Sequence, residues 1–320
     1  MKIAVVKGDG VGEEVIPVAV KVLEHYIPDA EYFEVEVGYN KWKRTGSACD
    51  DEDIIRLKEA DSIIFGAVTT PPDPNYKSVL LRIRHELELY ANIRPVYGDG
   101  FKITVVRENS EGLYSGIETI DSERSTTLRV VTRAASERIA ACACDILLRD
   151  FEGGTLTIGN KANVLKSDVL FRDTCIEVAE KMGVPYKTAY IDSLTFDAIY
   201  NPRKYDVIVT TNMFGDILSD ALGNLVGGLG MLPSANIGKK YSFFEPVHGS
   251  APDIAGKGIA NPIAAIRSAG MLLEHAAGVN CSGDIEKAIS DTISLGICTQ
   301  DLGGHASTES FGNEILKRLV

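Results

Sequence analysis

The stretch Asn212-Met-Phe-Gly-Asp-Ile-Leu-Ser-Asp220 follows an apolar, β-prone run, Tyr205-Asp-Val-Ile-Val-Thr210, and leads into an apolar-periodic helix that the pattern starts within Phe214-Gly-Asp216. A strand feeding a helix this directly puts these residues just beyond the carboxyl end of a buried strand, the edge where α/β sheets hold ligands. Asp216 and Asp220 are four residues apart, so a helix carries both carboxylates on one face. Two readings fit that spacing. Asp216 is an ordinary acid at a helix N-terminus and Asp220 a solvated one, or the two are oxygen ligands for a divalent cation.

Working outward, the same strand-to-helix junction recurs. A strand at 154–159 ends at Lys161-Ala-Asn163 and is followed by a helix over 167–181, and a strand at 186–191 ends at Asp192. Earlier in the chain, Lys2-Ile-Ala-Val-Val6 reads as a strand, Gly8-Asp-Gly-Val-Gly12 as a tight loop and Glu13–Tyr26 as a helix. That loop lacks the third glycine of the GxGxxG dinucleotide fingerprint, so it does not make a Rossmann fold. A strand near 31–37, a helix near 51–59 and a strand at 61–65 continue the alternation. The loop 68–78 is stiffened by Pro71, Pro72 and Pro74, and a helix over 79–90 carries Arg82 and Arg84, with Arg94 beyond it. Strand 102–107 precedes two β-prone runs near 113–120 and 126–133, which predict a hairpin or arm, and then a helix over 134–150. After residue 222, glycines and a proline mark a crossover between domains. Residues 244–262 form a long loop rich in turn formers, of the kind that is usually functional, and helices near 262–276, 284–295 and 308–319 follow. Polar residues at successive strand ends predict an α/β fold with parallel-rich sheets and a shared ligand cleft.

Bulk properties narrow the partners. A net charge of −12 over 320 residues argues against nucleic acid and anionic membranes, both of which need basic surfaces. No apolar run approaches a membrane span and no signal-peptide pattern is present, which predicts a cytoplasmic protein. The six cysteines show no CxxC pair or zinc spacing and are expected as reduced thiols.

Arg84, Arg94, Arg107, Tyr114, Lys161, Asp192, Asp216 and Asp220 together form a candidate constellation. Each has a plain alternative: Tyr114 as a core aromatic, Lys161 as a surface residue, Asp192 as a helix cap. Collectively, cations, acids and a proton donor describe a site for a polycarboxylate whose neighbouring hydroxyl is bound by metal.

The segments GDGVGEEV (8–15), LYANIRPV (89–96), VVRENSEGLY (105–114), KANVLKSD (161–168), TTNMFGDILSD (210–220) and EPVHGSAPDIAGKGIANP (245–262) closely resemble the β-decarboxylating dehydrogenases, the family of isopropylmalate, isocitrate and homoisocitrate enzymes. The resemblance runs from residue 3 to Asp301-Leu-Gly-Gly304. It implies the two-domain isopropylmalate dehydrogenase-like fold, with a cofactor-binding first domain from both chain ends (1–89 plus 228–320) and a second domain (90–227) carrying the metal site and the dimer interface. It also implies NAD- and Mg2+- or Mn2+-dependent oxidation and decarboxylation of a (2R,3S)-3-substituted malate. Residue by residue, Arg84, Arg94 and Arg107 would hold carboxylates, and Asp216 and Asp220 would ligate the metal with Asp192 of a partner subunit. Lys161, also from the partner, would take the hydroxyl proton, and Tyr114 would return one to the enol carbon. The cofactor positions are His248, Gly249, Ser250, Ala251, Asp253, Ile254 and Asn261. Asp253 stands where an acid meets the ribose diol of NAD and would repel a 2′-phosphate. The family resemblance further implies a homodimer or a dimer-based tetramer with shared active sites.

For the substrate, Ser78 aligns with the serine that contacts the extra carboxylate of isocitrate, and the 68–78 loop resembles that branch and the archaeal homoisocitrate enzymes. Leu80 and Leu81 suit the isopropyl group of 3-isopropylmalate instead, and bacterial homoisocitrate enzymes have an arginine at the position of Leu81. The reading favours an isocitrate- or homoisocitrate-like tricarboxylate, with 3-isopropylmalate as the alternative. Of other classes, a non-catalytic regulatory paralogue is disfavoured because all eight site positions are retained. A metal-dependent aldolase or lyase leaves the Asp253 loop without a purpose.

Overall fold

Continuous apolar runs such as Ile3-Ala-Val-Val6 and Ile63-Ile-Phe65 are buried throughout, as strands covered on both faces require. In the computed structural model, which describes residues 1–73 and 75–320, they become β1 (Lys2–Gly8) and β3 (Ser62–Ala67), with β2 (Glu31–Glu34) between them in the chain. The later strands are β4 (Ala91–Gly98), β5 (Phe101–Glu108), β6 (Glu118–Ile120), β7 (Ser125–Thr127), β8 (Leu156–Asn160), β9 (Tyr186–Tyr190), β10 (Val207–Thr210), β11 (Pro233–Ile237) and β12 (Ser242–Pro246). Pro74, one of the three prolines of the 68–78 loop, lies outside the described residues.

The chain forms two compact units, Met1–Leu87 with Gly227–Val320, and Glu88–Val226. In the first unit the strand order is β2-β1-β3-β12-β11, parallel except where β11 meets β12. Helix Gly12–Tyr26 packs against both Ile263–Leu272 and Thr308–Leu316 beside these strands. In the second unit the order is β4-β5-β10-β8-β9, parallel except where β4 meets β5. Consequently β5, β10, β8 and β9 all end at the same edge, and the residues that follow them are brought side by side. The short antiparallel hairpin β6–β7 is exposed along both strands.

Several element boundaries differ from the sequence expectation. The helix expected over 79–90 covers Val79–Glu86, and at Glu88 the backbone turns to a φ of 52°, which breaks helical geometry. The chain then enters β4, a strand hidden by Pro95, since proline argues against a strand interior; here Pro95 pairs with Thr104 on β5. The helix expected to begin within 214–216 begins at Asn212, with Thr211 as its N-cap residue. The arm is shorter than the runs 113–120 and 126–133, because Leu113–Ser115 forms a 3-10 turn and Thr132 caps the helix Arg133–Asp150. The strand expected to reach 37 stops at Glu34, and β11 occupies part of the glycine-rich crossover.

Candidate active site

In the second unit the helix Asn212–Gly223 follows β10 after one residue, and β10 lies parallel to β5 with Thr210 opposite Arg107. This register places Arg107, the penultimate residue of β5, beside the first turns of the helix. A side chain at position 215 would collide with Arg107, since an added Cβ would lie 2.7 Å from Arg107 Cβ; Gly215 lets the arginine run flat against the helix. Arg107 then meets Asp216 Oδ1 at 2.7 Å, although Arg107 itself is only 1% exposed.

The antiparallel partner β4 supplies the second arginine. Arg94, 6% exposed, donates from Nε to Asn92 Oδ1 at 2.8 Å and from Nη1 to Ser219 Oγ at 2.8 Å, while Nη1 lies 3.1 Å from Asp220 Oδ1 and Nη2 3.1 Å from Asp216 Oδ1. Tyr114, on the turn after β5, donates to Asp216 Oδ2 at 2.9 Å, and its ring lies under the Arg107 guanidinium at 5.3 Å. Thus five expected site residues, Arg94, Arg107, Tyr114, Asp216 and Asp220, form one charge-compensated cluster. Burial raises the pKa of the Asp220 carboxyl and the nearby Asp216 charge adds to the rise, while Arg94 and Arg107 oppose it.

A second pair sits at the ends of β8 and β9. Asn160 pairs with Tyr190 across these strands, so the residues that follow emerge together, and Lys161 Nζ lies 2.7 Å from Asp192 Oδ1. Hydrogen bonding to Lys161 holds the Asp192 carboxyl below the usual carboxylate range.

In the first unit, Arg84 sits in the last turn of Val79–Glu86 and its Nη2 lies 3.1 Å from Glu245 Oε1 on β12, both side chains nearly buried. Arg84 Nε is buried and has no partner among the described residues, while Asn236 donates to the same Glu245 oxygen at 2.8 Å. Ser78 caps this helix through its hydroxyl, which accepts from Leu81 N at 3.4 Å. Leu81 is exposed and Leu80 half-buried. Arg82 is drawn away to the Cys49 carbonyl and Asp51, and Lys77 is exposed.

The 248–261 loop belongs to the same unit. Val11 N donates to the Ser250 carbonyl at 2.9 Å, and the Ser250 and Thr69 hydroxyls meet at 2.7 Å. Ala251 holds a φ of 40°, a costly conformation for a residue with a Cβ. Burial lowers the His248 pKa, and its Nε2 is buried with no partner among the described residues; Gly249 and Asp253 are exposed and Ile254 half-buried. Asn261 is committed within the protein, donating to Asp301 Oδ2 at 2.9 Å and accepting from Ile263 N at 3.0 Å.

The donor chemistry suits the groups that the resemblance implies. Asp216 and Asp220 are hard oxygen donors on one helix face, as Mg2+ or Mn2+ prefers. Among the described residues of one chain, no three His, Cys, Asp or Glu side chains gather into a group that could hold a metal ion. The unpartnered His248 Nε2 and the exposed Asp253 suit a polar cofactor. Sequence reasoning missed Glu245, Asn92, Asn236 and Ser219, which aim the arginines and acids. Glu245, Asn92 and Ser219 lie inside the recognised motifs, which is their only signal in the sequence.

A family model for isocitrate/isopropylmalate dehydrogenase matches residues 2–315. An isocitrate/homoisocitrate dehydrogenase of Pyrococcus horikoshii is 42% identical, covering 99% of this chain and 92% of that one. A 3-isopropylmalate/3-methylmalate dehydrogenase of Methanocaldococcus jannaschii is 43% identical, covering 99% and 98%. Among solved structures, a β-decarboxylating dehydrogenase of Thermococcus kodakarensis in its apo form matches with a TM-score of 0.89 at 43% identity, covering 99% and 96%. An isocitrate dehydrogenase of Methylococcus capsulatus matches with a TM-score of 0.93 at 36% identity, covering 99% of each chain. Fold and site thus define a decarboxylating dehydrogenase acting on small carboxylates. The chain belongs to the isocitrate/isopropylmalate dehydrogenase family, whose members generally need a nicotinamide cofactor and a divalent metal.

Proposed function

We propose that this chain catalyses NAD-linked oxidative decarboxylation of a (2R,3S)-3-substituted malate, with an isocitrate- or homoisocitrate-like tricarboxylate as the favoured substrate. The observation that carries the reading is the cluster of Arg94, Arg107 and Tyr114 around Asp216 and Asp220. Its arginines bind substrate carboxylates, a role that the family resemblance also gives Arg84. Asp216 and Asp220, with Asp192 from a partner subunit, would hold a divalent metal, which would supply Lewis-acid polarisation of the substrate hydroxyl, and the 248–261 loop would hold NAD, the hydride acceptor of the reaction. Lys161, paired with Asp192, takes the hydroxyl proton. Tyr114 returns a proton to the enol carbon once carbon dioxide has left. Asp253 selects NAD.

A homodimer, alone or doubled into a tetramer, is the assembly that supplies the third acid. The exposure of Phe196, Tyr200 and Ile217 on the helices Ile191–Tyr200 and Asn212–Gly223 supports a subunit interface on the second unit. We place the protein in the cytoplasm; no helix of the described residues is long and apolar enough to cross a membrane.

The alternative substrate, 3-isopropylmalate, is favoured by one observation. Leu81 stands 43% exposed beside Leu80, a surface fit for an isopropyl group. A steady-state panel of isocitrate, homoisocitrate, 3-isopropylmalate and D-malate with NAD and Mg2+ decides between them. A kcat/KM for isopropylmalate tenfold or more above the tricarboxylates would reverse the substrate choice. NAD reduction with none of the four would leave the regulatory-paralogue reading.

A further inference from the structure

Asp168 is the one acid of the KANVLKSD segment, and the proposed chemistry gives it no task. It is 0% exposed, yet it lies in the first turn of the helix Lys166–Met182, where a carboxylate usually faces water. One oxygen, Oδ2, accepts the backbone N–H of Lys161 at 2.7 Å. The other, Oδ1, lies 2.5 Å from Arg129 Nη2. Arg129 is the second residue after β7, on the return path of the exposed hairpin, and it reaches four side chains at once. Beyond Asp168 it donates to the Ser167 hydroxyl and, from Nη2, to Thr211 Oγ1 at 3.1 Å, and its guanidinium lies over the Phe214 ring at 5.5 Å. Thr211 is the N-cap residue of the helix that carries Asp216 and Asp220, and Phe214 lies in its first turn.

A largely desolvated ion pair is a poor source of stability, because the loss of hydration offsets most of the Coulomb attraction, whereas hydrophobic residues would fill the same volume. What this pair supplies is direction. The planar fork of Arg129 fixes several acceptors in one geometry, and the Asp168 carboxylate fixes the amide from which the Lys161 side chain departs.

We infer that Arg129 and Asp168 are positioning residues that yoke the loop bearing Lys161 to the start of the helix bearing Asp216 and Asp220. The inference rests on the functional reading above for the roles of those three residues. The yoke itself stands on contacts within the second unit. Arg129 therefore connects the exposed hairpin to two segments of the proposed chemistry without touching substrate or metal.

The test uses the full-length protein and the substitutions Arg129→Lys and Asp168→Asn. Lysine keeps the charge but cannot span Asp168, Ser167 and Thr211 together, and asparagine keeps the shape without the charge. Both variants are expected to lower kcat roughly tenfold or more, as small misplacements of reacting groups do, while KM for NAD stays within twofold because the 248–261 loop lies in the other unit. Hydrogen exchange followed by mass spectrometry is expected to quicken in peptides spanning 160–168 and 211–216 and to stay unchanged over 135–150. Mn2+ binding measured by calorimetry is expected to weaken in both variants. Arg129→Ala is expected to regain turnover on addition of millimolar guanidinium. A purely structural pair would behave differently: melting temperature would fall, exchange would rise evenly across Glu88–Val226, and kcat per folded molecule would hold, and that result would overturn the inference. Because exchange is read without turnover, it decides the yoke even if the wild-type chain reduces no NAD, an outcome that would sink the functional reading alone.

Discussion

Tyr114 donates its phenolic hydroxyl to Asp216 Oδ2 across 2.9 Å, so the proposed proton donor and a proposed metal ligand share one hydrogen bond. The same aspartate gives its other oxygen to Arg107 and Arg94. A cation bound at Asp216 competes with all three, and whatever it displaces becomes available to substrate. Replacing Tyr114 with phenylalanine keeps the ring beneath Arg107 and removes only the donor. Tyr114→Phe is expected to lower kcat by about 10²-fold or more while Mn2+ affinity measured by calorimetry is largely kept. Turnover within threefold of wild type would exclude Tyr114 as the proton donor.

The second prediction concerns the metal. Asp220→Asn preserves volume and removes one anionic oxygen, and under the proposed scheme several kcal/mol of transition-state stabilisation depend on the ion Asp220 would help to hold. kcat/KM is expected to fall by roughly 10²-fold or more, partly recoverable by raising Mn2+. Wild-type protein stripped with EDTA should reduce no NAD until metal is restored. Full turnover after chelation would remove the cation from the scheme.

The proposed choice of NAD rests on Asp253, exposed on the 248–261 loop. A 2′-phosphate beside this carboxylate meets like-charge repulsion, so kcat/KM with NAD should exceed that with NADP by roughly tenfold or more. Asp253→Lys should narrow or invert the ratio. An unchanged ratio in the variant would move the selectivity elsewhere.

His248 gives a pH signature. Burial lowers its pKa, so above about pH 6.5 the ring is neutral in both the folded and unfolded chain and contributes no slope. As pH falls below that value, the unfolded chain takes up a proton that the folded ring still refuses, and stability drops until pH passes below the depressed folded value. Wild-type Tm is therefore expected to fall more steeply than that of His248→Asn on acidification below about pH 6.5. Parallel Tm profiles for the two proteins would contradict the burial of this ring.

Much of the fold can be read from periodicity. Fully apolar runs such as Ile3–Val6 and Val207–Val209 become parallel strands, and helices such as Gly12–Tyr26 follow where the period changes. The failures share a cause, which is that tertiary pairing overrides local preference. β4 forms around Pro95 because β5 supplies a partner along its whole length. The helix after Ser78 stops at Glu86 because the chain must turn into that strand. No local pattern announces either.

For the site, the sequence by itself picked out the acids, cations and hydroxyl proposed for the chemistry, since spacing alone puts Asp216 and Asp220 on one helix face and the motif segments supply the rest. Only the tertiary structure decided how they are held. Glu245 reaches Arg84 across 161 residues, and Arg94 reaches Asp220 across 126. Asp168 pairs with Arg129 because the chain folds the end of the hairpin onto the β8 loop. Spacing along a helix or strand fixes neighbours a few residues apart. The partners that aim a charge come from other strands, and strand order and register are set by the packing of the whole sheet.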